Sequence, residues 1–248
     1  METETKQAAL KSPTWPFFQR IANKIEAWSR LQQVAFLSLL QLVLIGGPYY
    51  AANLVSRWRD TTTFNVQTPF EETVPFIAWT LVFYVSFYLY FIIIAWMVSL
   101  NPQRRKEGWV LLQCMTMISL STMVFWMVFP VRIDLRHQIS DVGPLYDTVM
   151  GLLHTVDAPY NAWPSVHVLY STLIVLMVRY WMKESQTWKG LFSLTIVVCW
   201  ALLVISTVTI KQHYLFDIVT GLFFSIVPWY VWVVPRLAEL KEAPLTHD

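Results

Sequence analysis

Charged residues are scarce in this chain. Lys, Arg, Asp and Glu make up 14% of its 248 residues, and hydrophobic residues make up 56%. Soluble domains carry about 25% charged residues, so the shortage excludes an ordinary globular domain. The formal net charge of +2 is too small to indicate a nucleic-acid partner, and we expect none.

Several other features are missing. The two cysteines, Cys114 and Cys199, each lie inside an apolar run and are predicted to be buried free thiols rather than a disulfide. The apolar runs lack the period-two alternation of a membrane β-barrel, and no internal repeat is visible. Residues 1–11 are polar and mixed in charge, which excludes a signal peptide at this position.

Uncharged apolar runs of about 20 residues recur instead, the length at which a helix crosses the hydrocarbon core. We therefore predict an all-α polytopic membrane protein with six transmembrane helices in a bundle over residues 33–235. Residues 1–32 precede this domain as a tail and an interfacial amphipathic helix, and residues 236–248 follow as a cytoplasmic tail. The predicted spans are residues 33–55, 76–99, 109–129, 164–182, 191–207 and 214–234.

Smaller features refine this prediction. Gly46-Gly47-Pro48 predicts a kink or a close-packing point in the first span. Apolar residues three and four apart over residues 13–32 predict a helix on the membrane surface, with an ordinary helix packed on the protein as the alternative. Apolar residues over 145–153 predict a second short interfacial helix, acting as a lid or a lipid-entry wall.

Lys and Arg are unevenly divided between the two sides of this six-span arrangement. Of the 18 such residues, one side carries only Arg57, Arg59, Arg132, Arg136 and Lys211. Because Lys and Arg accumulate in cytoplasmic loops, we expect both termini in the cytoplasm. The compactness of the chain favours a bacterial inner membrane.

His213 and Asp217 lie four residues apart, so at a helix start their side chains share a face. A carboxylate behind an imidazole fixes its tautomer and leaves the other nitrogen free to attack. Two independently solvated groups at a helix end are the alternative.

Pro164-Ser165-Val166-His167 predicts a second helix start. Pro suits the first helical position, and the free backbone N–H groups with the Ser165 hydroxyl form an anion site. His167, one turn in, can give a proton to a leaving oxygen.

Both motifs fall on the side away from the cytoplasm, where Arg132, Arg136 and Lys211 flank them. Two histidines, a carboxylate, a helix N-terminus and three cations are what in-line phosphoryl transfer requires. The chain resembles, over residues 75–235, the type-2 phosphatidic acid phosphatase superfamily. Pro164, Ser165 and His167 match its second motif, and Ser206, His213 and Asp217 match its third at the family spacing.

The resemblance implies roles for these residues. His213 would form a phosphohistidine, Asp217 would orient it, His167 would protonate the leaving group, and Ser165 would bind phosphate. It implies no metal and no cofactor. The substrate would be a phospholipid or an isoprenoid phosphate or diphosphate in the membrane.

The match to the family is incomplete at the Arg and Lys positions of its motifs. Val166 replaces the family Gly, Thr207 stands at the third-motif Arg, and the first motif is not recognisable. Arg132 is the preferred equivalent of the first-motif Arg, with Arg136 second, and Lys211 is a substitute for the third-motif Arg. Ser206, Ser165 and these three cations form the predicted phosphate-binding set.

The residues 161–167 and 211–217 are also similar to a branch that includes inositol-phosphorylceramide synthases and bacterial relatives. The resemblance therefore implies a lipid-phosphate phosphatase, with transfer of a phospho-headgroup to a lipid acceptor as the alternative. A transporter or an inert scaffold is the alternative from another class.

Two further histidines are assigned no catalytic role. His154 is expected to be interfacial, on the predicted lid helix, and His137 is expected to be solvated in a loop. A metal site built from His154, His167, His213 and Asp217 is an alternative, although this spacing fits no common ligand pattern.

Overall fold

The computed structural model describes residues 14–60, 62, 65–157, 159–160 and 162–242. Within these ranges the chain is helical and holds no β-strand, which confirms the all-α prediction. The α-helices are α1 (Pro16–Ile25), α2 (Arg30–Gln41), α3 (Gly47–Arg59), α4 (Pro69–Thr73), α5 (Leu81–Val85), α6 (Phe87–Val98), α7 (Pro102–Val128), α8 (Pro144–Val156), α9 (Val166–Glu184), α10 (Gly190–Thr209), α11 (Leu215–Pro228) and α12 (Val234–Glu242).

Five helical segments of the described chain are long and apolar enough to cross a membrane, which supports a polytopic membrane protein. They are Arg30–Arg59, Ala78–Val98, Pro102–Val128, Gly190–Thr209 and Leu215–Glu242. The predicted fourth span, α9, is not among them. It carries Arg179, Lys183 and Glu184 in its last two turns, and its first half is buried among other helices. The number of six spans stays a prediction.

The first span is a continuous rod, Arg30–Arg59. Where a kink is predicted, the rod contains a π-helical turn, Leu42–Gly46, between α2 and α3. Pro48 lacks the N–H that would bond four residues back, and π-helical turns often accompany such interruptions. The Ser119 hydroxyl of α7 donates to the Ile45 carbonyl at 3.1 Å and so satisfies an acceptor within this turn.

Two other spans extend beyond their predicted bounds. α7 begins seven residues early, because the Asn101 side chain accepts from the Arg104 N–H at 2.8 Å and Pro102 suits the first turn. The last span continues without a break through the predicted boundary at residue 235 to Glu242. Residues 243–248 and 1–13 lie outside the described residues, so the two predicted tails are not described in full.

The N-terminal helix α1 packs on the bundle. Its buried Phe18 lies 5.5 Å from the Trp109 ring of α7, centroid to centroid, and the Trp15 N–H donates to Gln113 at 2.9 Å. Arg20 and Lys24 remain exposed. Of the two interpretations of residues 13–32, the structure therefore shows packing against protein, while a position at a membrane surface stays a prediction.

The helix ends that carry the two motifs meet at one end of the bundle, which we call the motif end. The Ser165 N–H donates to the Asp217 carbonyl at 3.1 Å. The Thr80 and Thr209 hydroxyls lie 2.7 Å apart, which brings the start of the second span to the end of α10. Ion pairs such as Lys241–Glu184, at 2.7 Å, lie at the opposite end.

Candidate active site

His213 and Asp217 form a buried pair at the start of α11. The Asp217 carboxylate accepts the Tyr214 N–H at 2.8 Å and lies 3.3 Å from Nδ1 of His213. α11 begins only at Leu215, so His213 lies in the turn before it. The helix-capping role of the carboxylate, rather than a shared helical face, therefore brings the pair together. The exposed fractions are 3% for His213 and 0% for Asp217.

His167 lies at the second position of α9, where the Ser165 side chain caps the helix by accepting the Val168 N–H at 3.5 Å. Its ring stacks on Tyr84 at 4.0 Å between centroids and contacts Phe87 at 4.4 Å. These contacts fix the ring plane without using its nitrogens.

The two histidines face each other. Their ring centroids are 5.7 Å apart, and the ring planes are inclined at 63° to each other. Among the described residues, Nε2 of His213 and both ring nitrogens of His167 have no hydrogen-bond partner. Buried polar atoms are normally satisfied, so such a group calls for a functional explanation. The arrangement can place one nucleophilic and one proton-carrying nitrogen against the same bound group.

Close approach of the two motif helices depends on Gly221. A Cβ at this position of α11 would lie 2.9 Å from the Ser165 carbonyl and 3.1 Å from Cβ of Val168. Ser165 itself is fully buried at this contact. A side chain at residue 221 would therefore push the start of α9 away from α11 and separate the histidines.

Arg136 is the predicted cation whose guanidinium contacts the side chain of the residue before His213. Its Nη2 donates to the Asp157 carbonyl at 2.8 Å and to Oε1 of Gln212, the residue before His213, at 3.2 Å. Its Nε is buried and has no partner among the described residues. Burial lowers the pKa of the guanidinium, and the nearby Asp157 carboxylate opposes that shift.

Arg132, the preferred first-motif equivalent, lies farther out. Its side chain is 48% exposed and pairs with Asp60 at 3.5 Å and with Asp134 at 3.2 Å. Its guanidinium also lies over the Tyr160 ring at 5.7 Å. Which of the two arginines is the first-motif equivalent stays a prediction, and their contacts favour Arg136.

Lys211 and Ser206 are buried, but their polar atoms bond to the main chain. The Lys211 ammonium donates to the Glu71 carbonyl at 3.2 Å and to the Val74 carbonyl. Burial lowers the pKa of Lys211. The Ser206 hydroxyl donates to the Leu203 carbonyl of its own helix at 2.6 Å. The Lys211 side chain therefore ties the turn before His213 to α4, whereas the Ser206 side chain bonds within α10.

Glu71, which no sequence pattern singles out, binds the same turn from α4. Its carboxylate accepts the N–H of Leu215, the first residue of α11, at 3.1 Å and the Thr68 N–H at 2.7 Å. Burial raises the pKa of this carboxyl, but the hydrogen bonds from Thr68 and Leu215 outweigh that effect and the net shift is downward. The Lys211 ammonium thus donates to α4, and the Glu71 carboxylate of α4 accepts from the start of α11. We call these two contacts the α4 clamp.

A second group missed from sequence surrounds Asp157. The hydroxyls of Tyr49 and Tyr84 both donate to its carboxylate, the latter at 3.3 Å. Tyr84 comes from an aromatic-rich span in which no pattern distinguishes one ring from another. Asn161, in the same loop, lies outside the described residues.

His154 lies at the end of α8, the predicted second short helix. Its Nε2 is 3.2 Å from the Gln212 side chain. Burial, and then the charge of Arg136, lowers its pKa, whereas Asp157 raises it. His137 is exposed, with Nδ1 2.6 Å from the Asp134 carbonyl. No group of three or more His, Cys, Asp and Glu side chains in the described chain could hold a metal ion, so the alternative metal site is not formed.

A cavity of about 520 Å³ begins at His167 and Asp157 and extends into the bundle. Its walls are the rod of the first span, α6 and the start of α9. Ligand sites are typically apolar cavities of about 300–1,000 Å³ with a few polar groups, and this one is lined at one end by His167.

Comparison with known proteins places this architecture in a family. The family model described as PAP2 superfamily matches residues 55–231, which include both motifs. No curated protein and no solved structure matches the chain. Members of this family are generally enzymes of the phosphatase or phosphotransferase type. A match over most of the length shows that the chain belongs to the PAP2 superfamily.

Proposed function

We propose that the protein is a lipid-phosphate phosphatase that works through a phosphohistidine on His213. The observation that carries this proposal is the pair of facing histidines, 5.7 Å apart between centroids. The nitrogen of His213 opposite Asp217 has no partner among the described residues. Nucleophile, orienting carboxylate and proton carrier are the groups that covalent phosphoryl transfer needs.

In the first step, Nε2 of His213 attacks phosphorus and forms the P–N bond. The bond from phosphorus to the lipid oxygen breaks, and that oxygen takes a proton from the protonated His167. The Asp217 carboxylate accepts a hydrogen bond from the Nδ1–H group of His213 and stabilises the positively charged ring.

In the second step, His167 takes a proton from water, whose oxygen attacks phosphorus. The P–N bond breaks, inorganic phosphate leaves, and His167 is again protonated for the next cycle. The chemistry proposed here uses no metal or cofactor.

The negative charge on the oxygens of the transferring phosphoryl group must be stabilised by hydrogen-bond donors. Arg136 would supply such donors, together with the Ser165 hydroxyl and the first N–H groups of α9. Arg132 would act at the outer rim, where it attracts anionic headgroups. Lys211 and Ser206 would contribute by fixing the turn that carries His213.

The proposed setting is a cell membrane with both termini in the cytoplasm and the motif end outside. The support is the scarcity of Lys and Arg at the motif end. A cysteine introduced in place of Ser140 tests this orientation in a variant lacking Cys114 and Cys199. It should react with an impermeant maleimide in intact cells, and labelling only after lysis would reverse the orientation.

Transfer to a lipid hydroxyl is the second candidate. It is favoured by burial, because His167 and His213 are only 4% and 3% exposed. A site with little access to water can hold a phosphohistidine until a lipid acceptor arrives. The same residues would serve, with the acceptor hydroxyl replacing water in the second step.

One assay separates these outcomes. Purified protein is given phosphatidic acid, phosphatidylglycerol phosphate or an isoprenyl diphosphate, with and without diacylglycerol or ceramide. Free phosphate indicates hydrolysis, and a new phosphorylated lipid indicates transfer. We expect His213→Ala to reduce turnover by more than about 10³-fold, and the matched control His137→Ala to retain it. Full activity in His213→Ala, or no reaction with any lipid, would refute the proposal.

A further inference from the structure

We propose that the cavity beside His167 binds one hydrocarbon chain of the lipid substrate and that its floor limits the length of that chain. The inference rests on the proposed function, because it assumes a phosphate between the histidines. It adds a binding site in which one wall, the rod, is built from residues that precede the family match at residue 55.

The cavity has a polar end and an apolar body. His167 and Asp157 form the end at the motif side, and Phe87, Phe91 and Ile45 line the wall below them. A lipid whose phosphate contacts His213 and His167 has its hydrocarbon directed into this space. The change from polar to apolar lining matches the change from headgroup to chain along the molecule.

The cavity opens sideways between the first and second spans. Leu42 and Tyr50 of the rod, and Tyr88 and Ile92 of α6, line it while remaining at least half exposed on the outside of the bundle. In a membrane that outer surface contacts lipid. A chain can therefore enter from the bilayer without passing through water, which singles out a membrane lipid as the occupant.

The floor of the cavity lies between these two spans. There the Gln41 side chain of the rod donates to the Phe91 carbonyl of α6 at 3.3 Å, and Ser38, one turn farther down, is the lining residue of the rod farthest from the motif end. The lining of the rod extends from Ser38 to Tyr50, a rise of roughly 18 Å of helix. A chain longer than this depth must bend or leave through the lateral opening.

The π-helical turn Leu42–Gly46 lies at mid-depth in the same wall. Leu42, Ile45 and Gly46 of this turn all line the cavity. Such turns occur frequently at functional sites because they displace side chains from the regular helical position. Here the turn shapes the wall that the chain would contact.

Chain-length selectivity tests the inference. The substitution Ser38→Phe raises the floor, and Leu39→Phe is the matched control because Leu39 is 58% exposed and does not line the cavity. We expect the ratio of kcat/KM for a 16-carbon over an 8-carbon lipid phosphate to fall about tenfold in Ser38→Phe. The control should keep the parent ratio. An unchanged ratio in a folded Ser38→Phe would overturn the inference.

Photo-crosslinking gives a readout that needs neither activity nor a variant of the cavity. The probe is phosphatidic acid with a diazirine at the end of one chain, applied to the full-length protein in nanodiscs and mapped by mass spectrometry. We expect adducts enriched at residues 38–46 and 88–92, also in His213→Ala. Adducts spread evenly over exposed helices such as α10 would overturn the chain site while leaving the proposed phosphatase intact. Enriched adducts without any turnover would reject the phosphatase and retain the chain site.

Discussion

The histidine pair and the cations at the motif end differ in how they are held. His167 and His213 are fixed by rings, caps and a carboxylate, yet keep nitrogens without partners among the described residues. The cations are instead bonded to protein groups: Arg132 to two carboxylates and Lys211 to two carbonyls. Of the three predicted cations, only Arg136 combines a contact to Gln212, the residue before His213, with a buried nitrogen that has no partner within the described chain.

This difference indicates that the two sets of residues have different roles. Groups that meet the reacting atoms must keep bonding capacity, whereas groups that position them use theirs within the fold. On that basis we propose that His213, His167 and Arg136 contact the substrate and that Lys211 acts through the turn. Substitutions that separate contact from positioning can confirm or break this assignment.

The largest effect should follow from Asp217→Asn. Asparagine can still accept the Tyr214 N–H through its amide oxygen, so the cap is retained and the charge behind His213 is lost. We expect kcat to fall by about 10³–10⁴-fold, measured as phosphate release from the preferred lipid. Asp134→Asn, at the exposed partner of Arg132, is the matched control. A loss below tenfold would mean that the carboxylate serves only the fold.

The next largest effect separates the two arginines. Arg136→Lys keeps a charge but loses the fork that reaches Asp157 and Gln212. We expect kcat/KM to fall by about 10²-fold, the cost of removing one donor to a transition-state anion. Arg132→Lys, on the exposed rim, should change kcat/KM by less than about threefold and mainly alter its salt dependence. The reverse order would restore Arg132 as the first-motif equivalent.

Lys211→Met tests positioning against phosphate binding. Removing the ammonium leaves the Glu71 and Val74 carbonyls without their donor, so we expect a loss of about 1–3 kcal/mol in unfolding free energy. A positioning role lowers kcat and leaves KM within about twofold. Glu71→Gln, on the other half of the α4 clamp, should give the same pattern. A rise in KM for Lys211→Met alone would instead indicate contact with phosphate.

Long apolar runs allowed most helices to be predicted, because length and lack of charge suffice to define a span. The histidine motifs were predictable for a similar reason: capping residues and short spacings act within a few residues. α9 was recognised from Pro164-Ser165 although its composition is less apolar than the other spans. These features depend on neighbours in sequence, so a single chain contains enough information about them.

Sequence neighbours could not indicate which of the cations lies nearest to the site. Whether Arg132 or Arg136 turns inward depends on Asp60, Asp157 and Gln212, which lie 72, 21 and 76 residues away in the chain. Lys211 is next to Gln212 in sequence, but its ammonium donates to the main-chain carbonyl of Glu71 in α4. Because every residue has a main-chain carbonyl, no sequence pattern indicates such a partner. Tertiary contacts of this kind decide side-chain direction, and only the structure reveals them.

The smallest expected effect concerns His154, which borders both regions through Gln212. Burial and the charge of Arg136 lower its pKa below the unfolded value near 6.5. The unfolded chain therefore binds more protons than the folded chain between that value and the lower folded pKa, and stability falls as pH falls through this window. His154→Gln keeps a polar partner for Gln212 but cannot titrate. Its thermal midpoint should therefore drop less than that of the parent between about pH 7.5 and about pH 5.5. His137→Gln, at an exposed site, should follow the parent, and equal drops in all three proteins would show that His154 does not contribute to this pH dependence.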